Sequence, residues 1–160
     1  MILSTVHTLP PETGKIAGRP HPTPTMTIDY AKARETMVEQ QIRPWDVLDA
    51  RVLEALNAVP RDAFVLPTHR TLAYTVLELP IGHGRVMMKP VVEGRMLQAL
   101  DLDPGDEVLE IGTGSGFISA CLGHLARDVH SLEIVPELAE SRRRGRSRGW
   151  TGRRGRTGWA

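Results

Sequence analysis

The stretch Val108-Leu-Glu-Ile-Gly-Thr-Gly-Ser-Gly-Phe117 constrains this chain more than any other. The run Glu107–Ile111 reads as a buried strand, and the glycines at 112, 114 and 116 demand a sharp turn directly after it. A helix is expected over 115–126, with Phe117, Ile118, Cys121, Leu122 and Leu125 on one side. A second short strand follows over 129–134, and another helix begins over 136–142. Strand, glycine turn, helix and strand make a βαβ unit, which implies parallel strands. The fold class is therefore α/β, on a doubly wound plan.

The glycines form G-x-G-x-G, one residue tighter than the dinucleotide pattern. They let the backbone leave the strand steeply and bring a ligand against the main chain, where free N–H groups of the next helix can face an anion. Glu133 ends the second strand, 21 residues beyond Gly112. A carboxylate there can accept hydrogen bonds from both hydroxyls of a ribose. Glu110, just before the turn, suits a positively charged amino group. A nucleoside with a zwitterionic tail is the ligand so described, and S-adenosyl-L-methionine fits it better than NAD. The candidate cofactor-binding set is Glu110, Gly112, Thr113, Gly114, Ser115, Gly116 and Glu133. No side chain is singled out as catalytic.

Upstream the pattern is helical. From Asp29, Tyr30, Ala33 and Met37 share a face, and Arg43-Pro44 is expected to end that helix because the residue before proline avoids the α region. Asp49 can cap a second helix with Val52, Leu53, Leu56 and Val59 as its apolar stripe, stopped by Pro60. Trp45 is expected to anchor the joint between these helices. Residues 63–66 and 73–79 read as extended or irregular, and Gly82-His83-Gly84 as a loop. Pro90 opens a third helix, with Val92, Met96, Leu97 and Leu100 expected to face inward.

At 160 residues the chain suits one domain, and no apolar run approaches the roughly 18 residues of a membrane span. The expected setting is cytoplasmic, without a membrane partner. The single Cys excludes a disulfide scaffold and is expected to pack on the inner helix face. The six His, at 7, 21, 69, 83, 124 and 130, show no metal-ligand spacing, so no metal is expected. Only His83, in its glycine loop, merits a test.

The net charge of +1 hides a split. Residues 1–140 hold 12 Lys and Arg against 19 Asp and Glu, whereas eight Arg and no acid follow Glu140. Residues 1–26, with five Pro and no period, read as a disordered extension, and Met26 is an alternative translation start. Residues 143–160 form an Arg/Gly-rich tail that either binds nucleic acid, with Trp150 and Trp159 stacking on bases, or arises from a reading-frame shift in GC-rich DNA.

Residues 110–116 together with Ser131-Leu-Glu-Ile-Val-Pro-Glu-Leu138 resemble the protein-L-isoaspartate O-methyltransferase family. So do Met37-Val-Glu-Gln-Gln-Ile-Arg43, Val59-Pro-Arg-Asp-Ala-Phe-Val65, Ala73-Tyr74 and Leu79-Pro-Ile-Gly82. The resemblance spans about residues 27–142, taken as the methyltransferase domain. It implies a Rossmann-like S-adenosylmethionine-dependent methyltransferase fold with a helical N-terminal segment. It also implies a cytoplasmic repair enzyme that methylates the α-carboxyl of L-isoaspartyl residues in damaged proteins. By the same resemblance, Gly112, Gly114 and Gly116 cradle the amino-acid end of the cofactor and Glu133 holds its ribose.

Two departures shape the expectation. Where the family carries Thr-Ile-Ser-x-Pro, this chain has Val86-Met-Met-Lys-Pro90, so Met88 stands at the serine position and the acceptor can differ. Lys89 beside it either attracts an anionic acceptor or is a solvated surface residue. The sheet also lacks the strands that follow the second one in this fold class, leaving an incomplete doubly wound sheet with an apolar, unpaired edge. Weak activity, or an inactive chain with only polycation binding through the tail, is the alternative expectation.

Overall fold

The computed structural model describes residues 27–145, with side chains described to residue 140. The extension expected over 1–26 and the tail from residue 146 lie outside the described residues.

Helix α1 (Tyr30–Met37) starts where the Asp29 carboxylate accepts from the Lys32 N–H. It does not stop at Arg43. The chain continues through a π-helical turn, Val38–Ile42, and a 3-10 turn, Arg43–Trp45, before Asp46 breaks it in the left-handed region at φ 60°. Arg43 keeps α geometry despite the proline after it, because Pro44 sits in the first turn of a new helical segment, where its missing N–H has no bond to make. Trp45 is 60% exposed and does not anchor the joint through its ring. Its carbonyl accepts from Arg95 instead, and the Gln98 amide receives the N–H groups of Leu48 and Asp49 while donating to the carbonyl of Asp46.

Helix α2 (Ala50–Ala58) is capped by Asp49, whose carboxylate accepts from the N–H groups of Arg51 and Val52, and it buries Val52, Leu53, Ala55 and Leu56. Two short 3-10 turns, Arg61–Ala63 and Pro67–Leu72, follow. Strands β1 (Leu79–Gly82) and β2 (Arg85–Met87) then pair as an antiparallel hairpin about the glycine loop, a pairing the sequence pattern did not signal.

Helix α3 (Pro90–Ala99) begins at its proline as expected, but its inward face is Pro90, Glu93, Gly94 and Leu97. Val92, Met96 and Leu100, expected inside, are exposed. The reason lies at Gly94, where a Cβ would stand 2.8 Å from Ile42 Cγ2. The missing side chain brings that face of α3 against the π-helical turn and turns the larger apolar residues outward.

The βαβ unit forms, with β3 (Glu107–Ile111), α4 (Phe117–Leu125) and β4 (Asp128–Leu132), but β3, read as a buried strand, alternates exposed and half-buried residues, and β4 ends at Leu132, two residues before the expected end. The strands are parallel, in register from Glu107 opposite Asp128 to Ile111 opposite Leu132. Helix α5 (Pro136–Gly145) runs three residues past its expected end. Helix α2 packs on both α3 and α4. Arg51 of α2 joins the two halves by donating to the carbonyls of Leu102 and Leu125, the latter at the end of α4. Among the described residues β3 pairs only with β4, and Leu109 and Ile111 are 62% and 73% exposed. The unpaired apolar edge expected from the sequence is present.

Candidate functional site

The residues 112–116 leave β3 and enter α4 through three left-handed glycines, at φ 91°, 51° and 78° for Gly112, Gly114 and Gly116. Only glycine adopts such angles freely, and the helix begins immediately because of them. A Cβ on Gly112 would meet nothing within 4 Å, so the space over that residue is open. Ser115 Oγ accepts from the N–H of Phe117, the first residue of α4, at 3.2 Å, while Gly116 stands at the N-cap.

A cleft of about 370 Å³ lies in front of this turn. Glu110, Gly112, Thr113, Gly114 and Ser115 form part of one wall, with Val108, Leu109 and Ile111 of β3. Val86, Met87 and Met88 form another, and Glu93, Met96 and Leu100 of α3 contribute as well. The outward apolar face of α3 is thus a wall of the cleft. Gly116 and Glu133 do not line it. Gly116 donates to the Thr113 carbonyl at 2.8 Å, and Glu133 reaches the turn from β4's end.

The amides of the turn are engaged within the protein. Those of Gly112 and Thr113 donate to the Leu132 carbonyl at 2.7 and 3.3 Å, and that of Gly114 donates to Glu133 at 2.7 Å. The free N–H groups expected at the start of α4 are a separate set, of which that of Phe117 donates to Ser115 Oγ at 3.2 Å. The glycines therefore contribute conformation and close approach.

The two carboxylates flanking the turn sit in different electrostatic settings. Burial raises the pKa of Glu110, against the pull of the Ser119 and Ser131 hydroxyls, which both donate to its Oε2. Thr113 extends this cluster through a 2.6 Å contact with the Ser131 hydroxyl. Glu133 is affected by burial in the same sense, but the backbone N–H groups of Val135, Gly114 and Ile134 outweigh it and hold the carboxyl below its ordinary range.

Sequence reasoning missed Ser119, Ser131, Arg61 and Glu93. Ser131 is a polar residue on the buried face of β4, beside buried Val129, and that alternation was the available signal. Arg61 is fully buried, and nothing about its spacing distinguishes it from a surface arginine. Burial lowers its pKa, while Glu93 draws it back; burial raises Glu93, and Arg61 opposes that rise. Cys121 is buried as expected, and burial pushes its thiol well up. His83 is exposed at φ 53°. Among the described residues no group of three His, Cys, Asp or Glu could hold a metal ion, and no helix is long and apolar enough to cross a membrane.

Comparison with known proteins gives a consistent picture. The family model for protein-L-isoaspartate(D-aspartate) O-methyltransferase matches residues 32–149. A protein-L-isoaspartate O-methyltransferase of Aeropyrum pernix is 50% identical over 114 residues, covering 69% of this chain and 44% of that protein. A second, of an Anaeromyxobacter species, is 44% identical over 122 residues, covering 76% of this chain and 50% of its own length. The chain thus spans about half the length of the curated relatives it matches. Among solved structures, a Plasmodium falciparum chain described as a protein-L-isoaspartate O-methyltransferase in complex with S-adenosyl-L-homocysteine superposes with a TM-score of 0.61 at 20% identity, covering 76% of this chain and 56% of its own. A further protein-L-isoaspartate O-methyltransferase gives 0.59 at 23% identity, covering 72% of this chain and 38% of its own. At these identities the structures establish a shared Rossmann-like fold.

Proposed function

The chain belongs to the protein-L-isoaspartate(D-aspartate) O-methyltransferase family, and on that premise we propose that it binds S-adenosyl-L-methionine at the glycine turn for methylation of isoaspartyl carboxyl groups in damaged proteins. The observation that carries the reading is the turn itself. Two carboxylates, Glu110 and Glu133, flank a backbone with open space over Gly112, and a cleft stands in front of it.

The residues fit the cofactor. Glu110 is an acceptor for an ammonium group at the cleft wall, held by two serine hydroxyls. Glu133 is kept ionised by backbone N–H groups and can accept from ribose hydroxyls. Gly112, Gly114 and Gly116, with Thr113 and Ser115 between them, permit close approach to the main chain. When bound, S-adenosyl-L-methionine supplies an electrophilic methyl group. The acceptor carboxylate is ionised at neutral pH, so the chain's own residues have orientation and water exclusion to provide. Met87, Met88, Met96 and Leu100 give the cleft an apolar lining suited to the second task. The Plasmodium structure, with its bound S-adenosyl-L-homocysteine, supports this choice of cofactor. A cytoplasmic setting follows from the family resemblance as part of the same proposal.

A second reading keeps the cofactor and changes the acceptor. Met88 lines the cleft at the position where the resemblance calls for serine, and a thioether donates no hydrogen bond. One experiment separates these readings. S-adenosyl-L-homocysteine is titrated calorimetrically into the full chain and its Glu133→Ala variant, and labelled S-adenosyl-L-methionine is offered with isoaspartyl and aspartyl peptides. Saturable binding that weakens at least about tenfold in the variant, with label on the isoaspartyl peptide alone, is expected, a loss consistent with removing hydrogen bonds to a charged group. Absence of binding overturns the cofactor reading. Binding without isoaspartyl preference selects the second acceptor.

A further inference from the structure

Arg61 follows α2, in a 3-10 turn that forms no part of the cleft. Its side chain is nevertheless fully buried, and each arm of its fork has a different partner. Nε donates to the Ala73 carbonyl at 2.8 Å, Nη1 to Glu93 of α3, and Nη2 to the Met88 carbonyl at 2.5 Å. The guanidinium also lies 5.0 Å from the centroid of the Phe117 ring, the first residue of α4 after the glycine turn. One planar cation thus touches the Met88 wall of the cleft, a cleft-lining carboxylate on α3, and the ring that seats the turn.

We propose that Arg61 is a positioning residue: it fixes residues 86–88 as one wall of the cleft, and through that wall it orients the acceptor. The proposal deepens the methyltransferase reading and rests on it. Met88 and Lys89 join β2 to α3, and the Met88 carbonyl is fixed from behind by the Arg61 fork. Met88 offers no side-chain hydroxyl, so the position of this wall is set through its backbone. Lysine cannot replace the fork, since a single ammonium does not reproduce three donors in a fixed plane.

The test compares the full chain with Arg61→Lys and with the double variant Arg61→Met/Glu93→Leu, which removes both buried charges together so that neither is stranded. Binding of S-adenosyl-L-homocysteine is measured by calorimetry. Binding of an isoaspartyl peptide, at saturating S-adenosyl-L-homocysteine, is measured by fluorescence anisotropy. Arg61→Lys is expected to keep S-adenosyl-L-homocysteine affinity within about twofold and to lose about tenfold in peptide affinity, the scale of one charged hydrogen bond, while the double variant, which also removes a cleft-lining carboxylate, is expected to unfold cooperatively. A purely structural arginine would lower both affinities together, and that result overturns the proposal. Unchanged peptide affinity in Arg61→Lys overturns it as well. If the unaltered chain binds no isoaspartyl peptide, the functional reading has failed at that step, and Arg61 is judged by amide hydrogen exchange. Exchange about tenfold faster at 86–88 in the double variant, with residues 107–111 unaffected, supports the positioning role; equal rates overturn it.

Discussion

The helical segments of residues 30–100 and the βαβ unit of residues 107–132 reach different degrees of completion. In the first, Met37, Val38, Ile42 and Leu56 are wholly buried, and even the charged Arg61 and Glu93 find partners inside. In the second, α4 is well packed while β3 leaves Leu109 and Ile111 largely in solvent. The difference is one of faces and edges: Glu107, Leu109 and Ile111 share the exposed face of β3, and among the described residues that strand pairs on one edge alone. A helix satisfies its interior backbone within itself, whereas a strand needs a neighbour on each edge. Helices can therefore close a local core among themselves, whereas a two-stranded sheet leaves its outer edges unpaired.

The largest expected effect lies in the closed region. Arg61→Met leaves the Glu93 carboxylate buried without its partner and should cost about 3–5 kcal/mol in urea unfolding, while Arg61→Met/Glu93→Leu should recover most of that loss. Equal losses in the two variants would show that packing, not charge pairing, sustains this core. Next comes Gly94→Ala, whose methyl would stand 2.8 Å from Ile42 Cγ2 and should cost about 1–3 kcal/mol by the same measurement. A neutral result would mean that α3 can slide, and the contrast with the sheet would weaken.

The two carboxylates at the turn sharpen the comparison through pH. Glu110 is raised above its ordinary 4.5, so its contribution to stability is complete below that value and is lost as pH rises through the folded pKa. Glu133 is depressed, so its contribution is present above 4.5 and is lost as pH falls through the folded value. Urea midpoints measured across this range should lose their decline with rising pH in Glu110→Gln, and soften their acid decline in Glu133→Gln. Identical profiles for both variants would remove the electrostatic distinction between the two sides of the turn.

The smallest effect is expected at the open edge. Ile111→Lys should change stability by no more than about 0.5 kcal/mol and reduce self-association in sedimentation velocity, because lysine on an unpaired strand discourages edge pairing. A large loss of stability would show that Ile111 is covered in solution and that β3 is not the open element described here.

Much of this architecture was legible from short-range chemistry. Asp29 and Asp49 announced two helix starts, Pro90 a third, and the glycines at 112, 114 and 116 the strand-to-helix turn. Readings failed where a neighbour distant in sequence decided the outcome. The face of α3 was misread because periodicity counts Val92, Met96 and Leu100 as core, whereas the close approach at Gly94 turns them outward, Met96 and Leu100 into the cleft wall. Proline at 44 reads as a helix end, yet the chain takes one further helical turn before Asp46.

By itself the sequence determined the family, the βαβ unit and the residues placed around the glycine turn, since each depends on spacing within a few residues or on a motif carried whole. Tertiary structure alone decided that Glu110 is held by two serines, that Glu133 closes onto the turn, and that Arg61 reaches the back of the Met88 wall. Those contacts join residues nine to 27 apart, and only the packed chain determines which donor meets which acceptor.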